Sequence, residues 1–260
     1  MNVLGADMGS RAVKLIIMND DKVIYKKQLS TMEFYRDYCN YRDSLHFDLS
    51  RLTDIPVDIK ISTGYGRNNT NLNDFTSINE LKAHALGACY QSKEEDFILL
   101  DIGGQDVKVM RIENSVLTNM DLNDKCAASC GRYLENMANV LEVSLETLSE
   151  YSGNPVELNS TCAVFSESEL IGKIAEGISL DRLCAGVNYS LFRRLKGILS
   201  HYKAKKLFVG GGVASNKAVI KFLGTEYDEV IPLPDAQFNG AIGCCVYGKM
   251  LYKLNNLESN

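Results

Sequence analysis

Two short glycine-containing segments of the chain have the composition of phosphate-binding turns. Residues 7–14 and 101–108 share Asp, Gly, Val and Lys at the same four offsets, and each segment lies between two apolar runs. This pattern predicts a β-hairpin that occurs twice, with a glycine turn between its strands. A glycine turn lets backbone N–H groups approach a phosphate, and an aspartate at the strand end can hold hydrated Mg²⁺. The repeat therefore predicts a phosphate clamp, with Asp7 and Asp101 acting on the metal through water.

The residues of the two turns are the first candidate nucleotide ligands. They are Gly9, Ser10 and Arg11 in the first turn and Gly103, Gly104 and Gln105 in the second. Gln105 is also a candidate catalytic residue, because a glutamine at this place can orient the water that attacks a γ-phosphate. Lys14 and Lys108 recur in the repeat and are predicted to be strand residues near the site rather than phosphate ligands.

A third glycine-rich element follows a short apolar strand. Lys206–Val209 precedes three glycines and Val213, and Asn216 is a suitable N-cap for the next helix. In this arrangement of strand, glycine turn and helix, a nucleoside can approach the backbone at the N-terminus of the helix. By itself this element is equally consistent with an unliganded loop. Beside two phosphate turns it predicts a nucleoside site with Gly211, Gly212, Val213 and Asn216 as ligands.

Eight cysteines is a high number for a cytosolic chain, because disulfides are rare in a reducing compartment. Cys126 and Cys162 each follow a polar capping stretch and precede an amphipathic helix, where free N–H groups would stabilise a thiolate. These residues alone favour a pair of buried structural thiols. Cys130 would share a helix face with Cys126 and is open to interpretation as an alternative ligand or as a packing thiol.

The composition excludes several classes of protein. The 260 residues are 45% hydrophobic with a net charge of -5, which is ordinary for one large or two modest globular domains. Without a basic block, the chain shows no electrostatic footprint for nucleic acid or an anionic membrane. No apolar run approaches the roughly 18 residues of a membrane span. We therefore expect a cytoplasmic protein that binds neither nucleic acid nor membrane.

Hydrophobic periodicity predicts an alternating α/β chain. The predicted strands are near 2–7, 13–18, 22–28, 57–62, 97–101, 107–112, 115–119, 206–210 and 229–232. The predicted helices are near 31–45, 78–91, 126–143, 162–177, 181–201, 215–222 and 236–254. This order predicts two α/β lobes with the ligand in a cleft. One lobe would comprise residues 1–90, completed by a helix over 236–256, and the other residues 91–235.

Several longer motifs carry a family resemblance. Five of them point to one family: Ser62–Arg67, Glu80–Ala88, Asp101–Asp106, Asn123–Ala128 and Ser160–Glu169. Asn239–Gly243, together with the glycine turns, points to its wider superfamily. On these motifs nearly the whole chain resembles the ATP-dependent activators of 2-hydroxyacyl-CoA dehydratases and benzoyl-CoA-reductase-type enzymes. That family lies in the acetate kinase, sugar kinase, Hsp70 and actin superfamily. The resemblance implies a two-lobed actin-like ATPase fold with duplicated ribonuclease-H-like lobes.

The resemblance also implies cofactors and partners. A homodimer would share one oxygen-sensitive [4Fe-4S] cluster, held by Cys126 and Cys162 of each chain. ATP, ADP and Mg²⁺ would act in the cleft, with Gly131 and Glu135 as further nucleotide ligands. A ferredoxin or flavodoxin would supply one low-potential electron, and an iron–sulfur dehydratase or a benzoyl-CoA-type or double-cubane reductase would receive it. Cys130 stands where the family commonly has a small or hydroxyl residue, and we predict that it is not a ligand.

Two other functions are compatible with the same fold. A small-molecule kinase would need a substrate subdomain, for which 260 residues leave little room. A nucleotide sensor without enzymatic activity would need only the turns. An electron carrier purified without oxygen should be brown, whereas a kinase or a sensor should be colourless. Glu80 and His84, at i and i+4, are predicted to pack or hydrogen bond rather than to bind metal.

Overall fold

The computed structural model describes residues 1–41, 45–64, 72, 74–160 and 162–257, and these form two compact units. The first unit comprises residues 1–94 together with the C-terminal segment from Gln237, and the second comprises Glu95–Ala236. The end of the Ser62–Arg67 motif, from Tyr65, lies outside the described residues, as does Thr161. Within the described ranges, no helix combines the length and the apolar character that a membrane span requires.

The first unit is built on a five-stranded sheet with the strand order β3-β2-β1-β6-β7. The first three strands pair antiparallel, and β6 and β7 continue the sheet parallel to β1. The strands are β1 (Asn2–Met8), β2 (Ala12–Asn19), β3 (Lys22–Ser30), β6 (Ile59–Thr63) and β7 (Thr76–Ser77), and β4 (Cys39–Tyr41) pairs separately with β5 (Leu45–Phe47). The helices are α1 (Thr31–Asp37), α2 (Glu80–Ser92) and α8 (Asn239–Leu257).

The second unit has a sheet of the same design, ordered β10-β9-β8-β11-β12. Its central strand β8 (Phe97–Ile102) is buried along its whole length, as expected of a continuous apolar run covered on both faces. The other strands are β9 (Val107–Glu113), β10 (Val116–Asn123), β11 (Lys206–Gly210) and β12 (Glu229–Pro232). The helices are α3 (Gly131–Val140), α4 (Leu145–Ser149), α5 (Ala163–Ala175), α6 (Leu180–Leu199) and α7 (Lys217–Leu223).

The registers of the two sheets match residue for residue at the strand ends. Asp7 lies opposite Lys14 on the antiparallel neighbour, and Asp101 lies opposite Lys108 in the same way. On the parallel side, Asp7 lies opposite Thr63 and Asp101 opposite Gly210. The duplication predicted from the repeat is therefore confirmed, and it extends beyond the hairpins to the parallel strands.

Helices α2 and α8 pack closely because small residues line their contact. A Cβ atom on Gly243 would overlap the carbonyl oxygen of Ala83, and one on Gly87 would overlap the carbonyl oxygen of Asn239. The Asn239 amide donates to the carbonyl oxygen of His84 at 2.9 Å. The Glu80–Ala88 and Asn239–Gly243 motifs thus form a helix contact, and His84 is buried in it, as predicted.

Two predicted helices have different bounds in the structure. The helix predicted over 126–143 begins at Gly131, after a 3-10 turn over Ala127–Ser129. The helix predicted over 31–45 ends at Asp37, and Cys39–Tyr41 is a strand that pairs with β5. In both cases tertiary hydrogen bonds override a local helical pattern.

Replacing Gly243 by Ala should destabilise the protein by about 1–3 kcal/mol, because the added methyl overlaps a backbone carbonyl that cannot rotate away. Gly197, on α6, is the matched control, since a Cβ atom there meets nothing within 4 Å. Gly197→Ala should leave stability unchanged or raise it by up to about 1 kcal/mol. Urea unfolding followed by circular dichroism measures both variants. A wild-type midpoint for Gly243→Ala would contradict the packing described.

Candidate functional site

The first glycine turn connects β1 to β2 and begins at a buried carboxylate. Asp7 is 5% exposed, and its carboxylate lies 3.6 Å from the Lys14 ammonium. Gly9 is required here because a Cβ atom would lie 2.7 Å from the Ala12 carbonyl oxygen. Ser10 and Arg11 are exposed at the tip of the turn. The turn thus places two exposed residues shortly after a buried carboxylate.

The start of α8 approaches the same carboxylate. A Cβ atom on Gly240 would lie 3.1 Å from Asp7 Oδ2 and 3.0 Å from His84 Nε2. Glycine at this position therefore leaves space beside Asp7, which gives the Asn239–Gly243 motif a second role besides helix packing. Glu80 begins α2, where Asn79 is the N-cap.

The second turn connects β8 to β9 and has a carboxylate, Asp106, that the first turn lacks. Asp101 is only 2% exposed, and Gly103 N–H donates to the Asp106 carbonyl oxygen at 2.9 Å. The Lys108 ammonium lies 3.9 Å from Asp101 but 2.5 Å from Asp106. The first turn has Ala12 where this turn has Asp106. The repeated lysine therefore shares its charge between two carboxylates in the second unit.

The start of α3 is hydrogen bonded to the second turn. Gly131 N–H donates to the Gly103 carbonyl at 2.9 Å, and Arg132 N–H donates to the Gly104 carbonyl at 3.0 Å. The Cys130 thiol donates to the same Gly104 carbonyl at 3.1 Å. These bonds explain why the helix begins at Gly131 and not at Cys126. Cys130 is consequently the N-cap residue of α3 and does not lie a turn inside it.

The triglycine turn reaches the same region of the second unit. Gly211 has φ +78°, and a Cβ atom on it would overlap the backbone of Ile102, next to Asp101. The Val213 side chain lies 3.5 Å from where a Cβ atom on Gly131 would be. The structure therefore brings together the second turn, the start of α3 and the triglycine turn. Glu135 is half-buried one turn into α3, and Arg132 lies 3.6 Å from it.

Asn216 caps α7, as the sequence predicts. Its side-chain oxygen accepts from Val219 N–H at 2.9 Å, and its amide donates to Asn188 Oδ1 at 2.9 Å. These bonds fix the start of α7 directly after the triglycine turn. Gln105 is exposed at the tip of the second turn.

The sequence did not reveal the role of Gly64. This residue follows β6 with φ +98°, and a Cβ atom on it would lie 2.7 Å from the Met8 carbonyl oxygen. Gly211 makes the equivalent approach to Ile102 in the second unit. Thr63 and Gly210, which precede them, hold the same register against Asp7 and Asp101. Next to each glycine turn there is thus a second glycine, with positive φ, that follows the neighbouring parallel strand.

Cys126 and Cys162 are exposed free thiols in the second unit. Cys162 is the N-cap residue of α5, and its side chain makes no capping hydrogen bond. The loop that precedes Cys162 is hydrogen bonded to α5, because the Glu169 carboxylate accepts from Asn159 N–H and Ser160 N–H, each at 2.8 Å. Desolvation raises the pKa of Glu169, but these two N–H bonds leave it lower than normal.

Exposed cysteine thiols have the chemistry that an iron–sulfur cluster requires, since thiolates are its usual ligands. Among the described residues, no three His, Cys, Asp or Glu side chains gather into a metal-binding group. By donor type, Cys126 and Cys162 suit the role of cluster ligands, and each chain would supply these two thiolates. In the same sense, the carboxylates of Asp7 and Asp101 are the donor type that Mg²⁺ prefers.

The other six cysteines are less exposed than Cys126 and Cys162. Cys244 and Cys245 are fully buried in the first unit, and burial raises the pKa of the Cys245 thiol to about 12. Burial also raises the pKa of Cys130, which favours the protonated thiol that donates to Gly104. Cys39 and Cys184 are buried and Cys89 is half-buried.

The two matched sheets define the fold of actin-like ATPases. A ROK-family glucokinase from Streptomyces griseus superposes with a TM-score of 0.57 over 96% of this chain and 100% of its own, at 11% identity, a likeness of fold alone. The activator of 2-hydroxyisocaproyl-CoA dehydratase from Clostridium difficile, solved with bound ADPNP, superposes with a TM-score of 0.85 at 30% identity. That alignment covers 99% of this chain and 98% of the activator.

Within this class, the chain belongs to the BadF/BadG/BcrA/BcrD ATPase family, which it matches over residues 4–248. The (R)-2-hydroxyglutaryl-CoA dehydratase activating ATPase of Acidaminococcus fermentans is 37% identical over 254 residues. These residues cover 94% of this chain and 95% of that protein. The family and the fold predicted from the motifs are therefore confirmed.

In reduced, metal-free protein, a thiol reagent should modify Cys126 and Cys162 quickly and the buried cysteines slowly, because access of the reagent limits the reaction. Peptide mass analysis after a short anaerobic exposure identifies the modified positions. Protein unfolded in guanidinium is the control and should react at all eight cysteines. Modification of Cys130 at the rate of Cys126 would contradict the buried position of Cys130.

Proposed function

We propose that this protein is an ATP-hydrolysing activator that passes one low-potential electron to an iron–sulfur dehydratase or reductase. The electron would come from a [4Fe-4S] cluster shared by a homodimer. Membership of an ATPase family supports the hydrolytic half of the proposal. The relatives named as activators of 2-hydroxyglutaryl-CoA and 2-hydroxyisocaproyl-CoA dehydratases support the coupling to a partner enzyme.

The nucleotide half rests on the glycine turns. Backbone N–H groups of Gly9 and Gly103 would contact phosphate, and Asp7 and Asp101 would hold hydrated Mg²⁺ through its water ligands. Gln105 would orient the water that attacks the γ-phosphorus and releases ADP and phosphate. The remaining ligands would be Ser10, Arg11, Gly104, Gly131, Glu135, Gly211, Gly212, Val213 and Asn216.

The cluster half rests on Cys126 and Cys162. A [4Fe-4S] cluster takes four thiolates, so two chains related by a two-fold axis would complete the set. The first turn of α5 supports such an interface, because Val164 and Phe165, two and three residues after Cys162, are 69% and 68% exposed. When bound, the cluster would supply one-electron transfer. Ferredoxin or flavodoxin would reload it.

The observation that carries the proposal is the link between the second turn and the cysteine segment. The two hydrogen bonds from the start of α3 to Gly103 and Gly104 join these two elements directly. A change of the turn on loss of the γ-phosphate would therefore move the end of the segment that bears Cys126. This coupling would allow hydrolysis to drive an electron below the roughly −400 mV of plant-type ferredoxins.

The cysteine variants test the cluster half. Cys126→Ser and Cys162→Ser should each reduce iron to less than about a tenth of the wild-type content, because the dimer axis doubles each loss. Cys130→Ser is the matched control and should stay brown, since its buried side chain faces the Gly104 carbonyl. Iron and sulfide analysis with anaerobic visible and EPR spectra measures all three. A colourless wild-type protein, or a loaded Cys126→Ser beside a colourless Cys130→Ser, would refute the ligand assignment.

The variant Gln105→Ala tests the hydrolytic half. It should bind ATP with wild-type affinity but hydrolyse it about 10²-fold more slowly, because the attacking water loses its orientation. Calorimetric titration with a non-hydrolysable ATP analogue and a phosphate-release assay separate the two effects. A collapse of nucleotide affinity would instead make Gln105 a binding residue.

A further inference from the structure

Helix α6 carries two adjacent arginines that both contact the segment before Cys162. Arg193 donates to the Leu158 carbonyl at 2.9 Å, and Arg194 donates to the Ser160 carbonyl at 2.7 Å. Arg193 is exposed and lies 3.9 Å from the Glu157 carboxylate, whereas Arg194 is half-buried. The two arginines therefore have similar positions along the chain but different surroundings.

The Arg194 guanidinium is surrounded by neutral groups. It donates to Ser190 Oγ at 2.8 Å and to Ser166 Oγ at 3.4 Å, and it lies 4.7 Å from the centre of the Tyr133 ring. Over the described part of the chain, no carboxylate lies within 4.0 Å of it. A half-buried cation without an acidic partner is well suited to an anion nearby, and thiolates bound to iron are anionic.

The contacts of Arg194 join the two cysteine-bearing segments. The Ser160 carbonyl, two residues before Cys162, accepts from Arg194 and also from Ser166 Oγ at 3.1 Å. Tyr133 is fully buried on α3, three residues after Cys130 and in the first turn of the helix that follows the Cys126 segment. One side chain thus hydrogen bonds to the Cys162 loop and lies over an aromatic ring of α3.

We propose that Arg194 is a positioning residue for the cluster. It would set the separation of Cys126 and Cys162 and would supply positive charge to their thiolates. The inference rests on the proposed function, since it concerns the cluster assigned there. Lysine cannot replace the arginine, because an ammonium lacks the planar fork that reaches two acceptors while stacking on an aromatic ring.

Three variants test the proposal after anaerobic reconstitution. Arg194→Lys should retain less than about half of the wild-type iron, because the fork is lost. Arg194→Met should lose at least as much iron, and its remaining cluster should have a more negative midpoint potential, because a positive charge is gone. Arg193→Met is the matched control and should keep wild-type iron and potential, since Arg193 is exposed and already lies near the Glu157 carboxylate.

Several outcomes would overturn the role of Arg194. They are wild-type iron in Arg194→Lys, wild-type iron and potential in Arg194→Met, an equal loss of iron in Arg193→Met, and a loss of ADP affinity that parallels the loss of iron. The last outcome would mean that the second unit had loosened as a whole. A wild-type protein that takes up no cluster would refute the proposed function itself, and this result is obtained before any variant is compared.

Discussion

Two backbone hydrogen bonds, from the first N–H groups of α3 to the carbonyls of Gly103 and Gly104, determine the layout of the second unit. They require that helix and turn approach closely, because a Cβ atom on Gly131 would come within 3.1 Å of the Gly103 carbonyl oxygen. Once the helix begins there, Cys130 becomes its N-cap residue and is buried, while Cys126 stays outside the helix and exposed. Two cysteines four residues apart thus differ in environment because the helix begins between them.

The repeat allowed the hairpins and their glycine turns to be predicted from sequence, because strand alternation and turn residues are local signals. The start of α3 was predicted wrongly at Cys126. The polar stretch before Cys126 looks like a helix cap, but the carbonyls that fix the helix start belong to residues more than 20 positions earlier. A pattern search along the chain has no access to such a partner.

Long-range register explains the other omissions. Gly64 and Gly211 are equivalent only because β6 and β11 hold the same register against β1 and β8, and the sequences around them share little beyond glycine. Asp106 was visible as part of a motif, yet its effect on the repeated lysine depends on side-chain distances of 2.5 and 3.9 Å. Arg194 is similar, since its contacts lie on three different helices and one loop. Sequence reasoning found the residues of the turns but not the residues that hold the turns and loops in place.

The two sheets share strand order and register, but the connections between their third and fourth strands differ in length. Residues 31–58 lead from β3 to β6 in the first unit, whereas residues 124–205 lead from β10 to β11 in the second. The longer connection, between β10 and β11, contains helices α3 to α6 together with Cys126, Cys162 and Arg194. The residues of the proposed cluster site therefore all lie in one connection, while the two sheets keep the same strand order. A duplicated nucleotide-binding scaffold of this kind can diversify its chemistry by remodelling one crossover while both sheets stay as they are.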